Sequence, residues 1–275
     1  MTPVPVLRAH DAAVPAIGFG TSGLGAQCGE IVAAALRSGY RHIDTARKYG
    51  SEPGVAEGLR AADVARADIF LATKVSHENL RAADFALSVE TSLKTLGVDY
   101  VDALLVHWPN AEIPLAETMA ALAKTRRQGL ARHLGVANFN IALLDQAIRL
   151  CPEPLALLQA EFHPYLDQMN LLAACRARGM AFTGYCPLGR GRLMSDRVLG
   201  DISQAKRRTI AQVALRWSIQ QGVVPIPRSS RPARIAENLD VFDFSLDDDD
   251  MREISALRAH NDRIANPAGR APAWD

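Results

Sequence analysis

Four residues of the sequence could do proton chemistry together: Asp44, Tyr49, Lys74 and His107. Each lies in or just beyond a short apolar run. Asp44 and Tyr49 follow the run that starts at Arg41, Lys74 lies near the end of IFLATKV (69–75), and His107 near the end of VDALLVHW (101–108). A lysine drawn toward an apolar interior needs an acidic partner, and Asp44 is the candidate. Hydride addition to a carbonyl makes an alkoxide, which needs a proton and a stabilising donor. A phenol, with an ordinary pKa of about 10, is a poor match for that task near neutrality. A nearby ammonium favours the phenolate and is expected to lower that value. Tyr49 is therefore read as general acid, Lys74 as its tuner, Asp44 as the lysine's partner and His107 as the donor that orients the carbonyl oxygen. Singly, each residue has a structural explanation: a polar strand end, a half-buried core residue, a satisfied core histidine. Only their joint placement makes a site.

That placement depends on the elements around them. Eight short strand-like runs alternate with helical periodicity, at 15–19, 41–45, 69–75, 101–108, 131–137, 155–160, 180–185 and 223–226. Glycines 39, 97, 129 and 179 stand where helices should stop. Each unit uses roughly 30 to 35 residues, and no change of composition divides the chain. The pattern predicts an α/β fold, a (β/α)8 TIM barrel, in one domain over 1–275. In such a barrel the C-terminal ends of all strands face one mouth, which would bring the four residues together. The acidic run Asp247–Asp250 suits a helix start better than a metal site.

Composition narrows the rest. The chain has 275 residues, 48% of them hydrophobic and 22% charged, with a formal charge of +1. That is ordinary globular usage with no excess charge for nucleic acid or an anionic membrane. Cys28, Cys151, Cys175 and Cys186 form no CxxC pair, so free thiols in a reducing compartment are expected. No secretory signal or membrane span is recognisable, which predicts a cytoplasmic protein; a monomer is expected. His107 and His163 lack the ligand spacing of a metal hydrolase, and no metal is expected.

Gly18, Gly20 and Gly23 spell GxGxxG after a short strand, with Asp44 about twenty residues on. This meets the dinucleotide fingerprint of a Rossmann fold. The uniform eightfold alternation argues against it, and Asp44 already has another task. The glycines are read instead as a tight turn at the barrel mouth.

The residues named so far sit in a series of strings: GFGT (18–21), GYRHIDTARKYGSE (39–52), ATK (72–74), VDALLVHWP (101–109), GVANF (135–139), QAEFHPYLDQ (159–168), GYCPLGRG (184–191) and PIPRSSRPARIAEN (225–238). In content and order this series resembles the aldo-keto reductase family over nearly the whole chain. The ending DRIANPAGRAPAWD (262–275) is similar to that of bacterial 2,5-diketo-D-gluconate reductases, the B type especially. The resemblance implies an NADP(H)-dependent oxidoreductase acting on a small-molecule carbonyl substrate, such as a keto-sugar acid, an α-dicarbonyl, a β-keto ester or a small aldehyde. It implies that Asn138 and Gln159 hydrogen-bond the nicotinamide carboxamide and that Tyr185 stacks on its ring. Gly20, Thr21, Asp44 and Cys186 would border the cofactor, and Leu188 and Gly189 would cover the pyrophosphate. Arg228, Ser229 and Arg234 would bind the adenosine 2′-phosphate, with Glu237 and Asn238 at the adenine. Two arginines beside a hydroxyl suit a phosphomonoester on chemical grounds.

Several positions depart from the family pattern. Arg228 stands where lysine is usual, Ala137 where serine is common, and Cys186 where serine is usual. Serines at Ser22 and Ser76 replace the usual pocket aromatics, while Trp108 and Trp274 remain. A wider and more polar substrate pocket is expected, lined by Ser22, Tyr49, His107, Trp108 and Trp274. The alternative function is an NADP(H)-binding, redox-sensing protein with little turnover. It gives no reason for Lys74 to be paired with Asp44.

Overall fold

The computed structural model describes residues 4–275. A short antiparallel hairpin comes first, β1 (Val6–Ala9) with β2 (Ala12–Pro15). Eight parallel strands follow in sequential order: β3 (Phe19–Gly20), β4 (His42–Asp44), β5 (Phe70–Val75), β6 (Val101–Val106), β7 (Ala131–Ala137), β8 (Leu155–Glu161), β9 (Ala181–Tyr185) and β10 (Val223–Ile226). Gly18 and Gly20 donate their amides to the carbonyls of Pro225 (2.9 Å) and Pro227 (2.9 Å), which joins β3 to β10 and closes the ring. Sequential parallel pairing excludes a Rossmann sheet, whose strand order reverses.

The helices are α1 (Cys28–Arg37), α2 (Glu52–Ala61), α3 (Ala82–Leu96), α4 (Leu115–Arg127), α5 (Ile141–Leu150), α6 (Met169–Ala177), α7 (Arg197–Lys206), α8 (Ile210–Gln220), α9 (Pro232–Leu239) and α10 (Asp248–Ala256). Their ends follow from local chemistry. Gly97, at φ 66°, closes α3 in the left-handed conformation that glycine adopts without strain. Asn140 caps α5, Thr209 and Gln212 form a capping box on α8, and Asp247 with Asp250 does the same on α10. The acidic run is thus a helix start.

Two differences from the expected elements concern the N-terminus. The first barrel strand is the two-residue β3, later than the expected 15–19. The residues before it form the hairpin instead. Its Ala9, Ala12 and Val14 join one cluster with Phe70, Ala72, Ala103, Leu105, Ala156, Leu157, Ala181 and Val224 of the barrel strands. The hairpin therefore plugs the end opposite the mouth. A larger cluster, including Leu71, Val89, Leu104, Leu122, Leu134 and Leu158, fills the space between strands and helices.

Strand alternation decides which side chains point inward. On β4 the inward positions are His42 and then Asp44; on β5 they are Phe70, Ala72 and Lys74. His42 is 1% exposed and lies edge-on to Phe70, with centroids 4.9 Å apart. Burial holds its pKa down to about 4. An unfolded histidine titrates near about 6.5, so between these values the unfolded chain binds a proton that the folded chain refuses. Folding stability is therefore full above the unfolded value and declines as pH falls toward the folded one. Each such histidine should cost about 1.4 kcal/mol per pH unit inside that window. Urea midpoints should thus drop between pH 6.5 and 5, above the range where carboxylates titrate. A midpoint that stays flat there would contradict burial of His42 in its neutral form.

Candidate active site

At the mouth the inward positions turn polar. Lys74 (1% exposed) and Asp44 (4% exposed) form a buried ion pair, with Lys74 Nζ 2.7 Å from Asp44 Oδ1. Lys74 Nζ also donates to the Thr45 carbonyl at 2.9 Å, and Gln159 Nε2 donates to Asp44 Oδ2 at 2.9 Å. The ammonium lies 5.2 Å from the centroid of the Tyr49 ring. Tyr49 reaches the mouth from a single 3-10 turn, Arg47–Tyr49, and its Oη lies 3.5 Å from His107 Nε2. The two rings meet edge-on, with centroids 5.4 Å apart. The four residues singled out in the sequence thus come together from three strand ends and one loop.

The electrostatics correct one expectation. Burial pushes the Tyr49 phenol above its ordinary value, and the Lys74 ammonium opposes that rise without cancelling it. The phenol is therefore protonated at neutral pH and holds a proton it can give. Burial works against the Lys74 ammonium, but Asp44 and Tyr49 outweigh it and keep the group charged, with a raised pKa. Burial, reinforced by the positive charge of Lys74, holds His107 down to about 3. The imidazole is neutral, so one ring nitrogen can carry a hydrogen toward the mouth.

Beside this cluster lie groups that suit a nicotinamide. Asn138, in the left-handed conformation at φ 63°, donates from Nδ2 to the His107 carbonyl at 2.9 Å. The Tyr185 hydroxyl donates to Asn138 Oδ1 at 2.7 Å. Gln159 directs its amide nitrogen at Asp44, and its Oε1 accepts no hydrogen bond among the described residues. That free acceptor matches the NH2 of a carboxamide. The Tyr185 ring is partly exposed at the mouth. The loop after it is strained, with Cys186 at φ 52° and Arg190 at φ 52° beside Gly189 and Gly191. Burial raises the Cys186 thiol, which argues against a thiolate.

A second group of residues gathers past β10. Arg228 Nη2 donates to the Gly23 carbonyl at 2.6 Å, and Ser229 Oγ accepts from the Arg231 amide at 3.0 Å. Arg228, Arg231 and Arg234 are exposed, and none pairs with a carboxylate among the described residues. Three guanidiniums without a carboxylate partner suit a phosphomonoester. Asn238 is buried, and Glu237 Oε1 accepts from Thr209 Oγ1 at 2.9 Å. Of the two threonine and serine positions near the start of the barrel, Thr21 is fully buried. Its hydroxyl donates to the Asp44 carbonyl at 3.1 Å, so only its backbone can face a cofactor. Ser22 is exposed, whereas Ser76 is buried and donates to Glu78 at 3.0 Å. The fingerprint glycines allow close packing: a Cβ on Gly18 would lie 2.9 Å from His42 Nδ1, and one on Gly20 3.2 Å from Ile226 Cγ2.

Next to His107, Trp108 meets Trp274 of the C-terminal tail edge-on, with centroids 6.2 Å apart. One residue here was missed from sequence. Glu161, the last residue of β8, is fully buried and accepts from His163 Nε2 at 2.8 Å. It also accepts from the amides of Ile264 (2.7 Å) and Ala265 (2.6 Å) in the C-terminal tail. An acidic residue closing the apolar run LALLQAE was a visible signal, of the same kind as Lys74 in IFLATKV. Among the described residues no group of three metal-ligating side chains gathers, and no helix is long and apolar enough to cross a membrane.

Comparison with known proteins agrees with this geometry. The family model described as Aldo/keto reductase family matches residues 16–259. The chain is 38% identical to the glyoxal reductase of Bacillus subtilis, over 88% of this chain and 88% of that protein. A crystal structure assigned as a 2,5-diketo-D-gluconic acid reductase B superposes with a TM-score of 0.96 at 42% identity, covering 99% of this chain and 98% of that one. An aldo-keto reductase of Bombyx mori in complex with NADP gives 0.90 at 29% identity, over 97% and 96% of the two chains. The chain belongs to the aldo/keto reductase family. It is accordingly an oxidoreductase of carbonyl groups with NADP(H) as cofactor.

The ion pair generates a direct test. Removing one partner of a buried pair leaves an uncompensated charge and costs about 3–5 kcal/mol. Lys74→Met and Asp44→Asn should each destabilise on that scale, and the double variant should lose far less than their sum. Urea denaturation of the four proteins measures the coupling. Losses that add to within about 0.5 kcal/mol would mean the two groups do not support one another.

Proposed function

We propose that this protein reduces a ketone or aldehyde to an alcohol, with the proton supplied by Tyr49. When bound, the nicotinamide of NADPH supplies the hydride. The observation that carries the reading is the position of the Tyr49 hydroxyl. It lies beside the neutral His107 and on the same side as the buried Lys74 ammonium. A carbonyl oxygen held between Tyr49 Oη and His107 Nε2 would receive two hydrogen bonds. As negative charge grows on that oxygen, Tyr49 gives up its proton. Lys74 stabilises the phenolate that remains, and Asp44 keeps the lysine charged and in place. Asn138 and Gln159 orient the carboxamide, Tyr185 offers its ring to the nicotinamide, and Arg228, Ser229 and Arg234 hold the 2′-phosphate.

For the substrate, keto-sugar acids and α-dicarbonyls are favoured. Lys74, Lys48 and Arg270 bring positive charge to bear on His107 from around the mouth. Lys48 is neutralised by Glu78 at 2.7 Å, whereas Arg270 pairs with no carboxylate among the described residues. A carboxylate on the substrate would be attracted to that side. The glyoxal and diketogluconate relatives are consistent with this choice. All the groups named belong to one barrel, which is the catalytic unit in this reading; the proposal further takes the protein to be a cytoplasmic monomer.

The test is NADPH oxidation with a panel holding 2,5-diketo-D-gluconate, methylglyoxal, a β-keto ester and an aromatic aldehyde. Tyr49→Phe should lower kcat/KM by about 10²–10⁴ while leaving the Kd for NADPH within a few-fold. Binding of NADPH without turnover of any member by the wild type would favour a sensing role instead.

A further inference from the structure

Residues 261–275 form neither helix nor strand, yet they are held firmly against the mouth. Backbone amides that leave water without a ladder to join must find other acceptors. Ile264 and Ala265 find theirs in one buried carboxylate, that of Glu161, at 2.7 and 2.6 Å. Bonds to an ionised acceptor are the stronger kind. His163 and the two amides outweigh burial and hold the carboxyl below its ordinary pKa, so it stays ionised.

The two residues that flank this grip are the two that hold Trp274. Arg263 lies just before it and stacks its guanidinium 3.8 Å over the Trp274 ring. Asn266 lies just after it, and its Oδ1 accepts from Trp274 Nε1 at 2.9 Å. Trp274 in turn meets Trp108 edge-on, one residue beyond His107. Farther along, the Ala273 carbonyl accepts from Asn140 Nδ2 at 2.7 Å, and the Asp275 carboxylate accepts from the Ile141 amide at 3.0 Å. On the barrel side, Glu161 pairs in register with Tyr185 and lies two residues from Gln159. One carboxylate therefore ties the tail to the strands that carry the cofactor-facing side chains.

We infer that Glu161 is a positioning residue: it latches the C-terminal tail through Ile264 and Ala265, and so sets Trp274 as the outer wall of the substrate mouth. It touches neither reacting atom. Its effect is on how substrate is held, and this aspect rests on the reductase reading above. Losing the latch loosens one wall of the pocket and leaves Tyr49, Lys74 and His107 where they are.

Glu161→Gln keeps the shape and removes the charge. One lost charged acceptor for two amides should raise the substrate KM about tenfold, with kcat and the NADPH Kd changed less than about threefold. Asn266→Ala cuts the link between latch and Trp274 from the exposed side and should also raise KM. If Glu161 acts through Trp274, its effect on KM should largely vanish in a Trp274→Ala background. Trypsin should cut faster after Arg270 in Glu161→Gln than in the wild type, as read by mass spectrometry. A Glu161→Gln protein with a lower Tm or kcat but an unchanged KM would overturn the inference, as would KM effects that add to those of Trp274→Ala. Should the wild type reduce no carbonyl, the reductase reading fails, and the Arg270 cleavage rate still decides the latch: faster supports it, unchanged refutes it.

Discussion

The organising constraint of the mouth is one buried charge. A lysine ammonium at 1% exposure can stay ionised only if the surrounding structure compensates it fully. Here the compensation comes from two separate stretches of chain. Asp44 ends β4, the Thr45 carbonyl follows it, and Gln159 on β8 holds the far oxygen of Asp44. The barrel has to close in its proper register for these groups to meet. Lys74 is thus both a cost to folding and a check on the geometry of the mouth. The same charge reaches Tyr49 and His107, so the fold and the reactivity depend on one interaction.

The rest of the architecture serves this layer. An eight-stranded barrel is just narrow enough for side chains to fill; Ala72, Ala103, Ala137 and Ala181 pack there with Phe70, Leu105 and Leu157, and the N-terminal hairpin packs against them. Burial then has opposite consequences for two neighbours. It keeps the Tyr49 phenol protonated and the His107 imidazole neutral. One is left holding a proton to donate, and the other a hydrogen bond. Glu161, buried two residues beyond Gln159, applies the same principle to the tail. An ionised group is placed where only a specific piece of chain can satisfy it.

Much of this was legible in the sequence, and the omissions have physical reasons. Strand runs such as IFLATKV and VDALLVHW announce themselves by apolar content, and a titratable residue inside or closing such a run is anomalous enough to mark a site. Lys74 and His107 were found that way. Glu161 gave the same signal in LALLQAE, but its role in holding the tail did not show, because the two partners there lie 103 and 104 residues away and have no side-chain signature. They are backbone amides. The hairpin was missed because the exposed Arg8 and the turn residues His10 and Asp11 break up the pattern of Ala9, Ala12 and Val14. The GxGxxG string satisfied a fingerprint whose meaning depends on strand order, which only the closed ring determines. The direction of the Tyr49 shift was misjudged for a related reason. Sequence reveals the neighbouring ammonium but not how deeply the phenol is buried.

The central claim is that Lys74 acts on the Tyr49 phenol through its charge, against the effect of burial. It is tested most directly by running the reaction backward. In alcohol oxidation with NADP+, Tyr49 must accept a proton, so kcat/KM should rise with pH as the phenol ionises. In Lys74→Met, burial is no longer opposed, and the rising limb should move to higher pH. A limb at the same pH in both proteins would contradict the account.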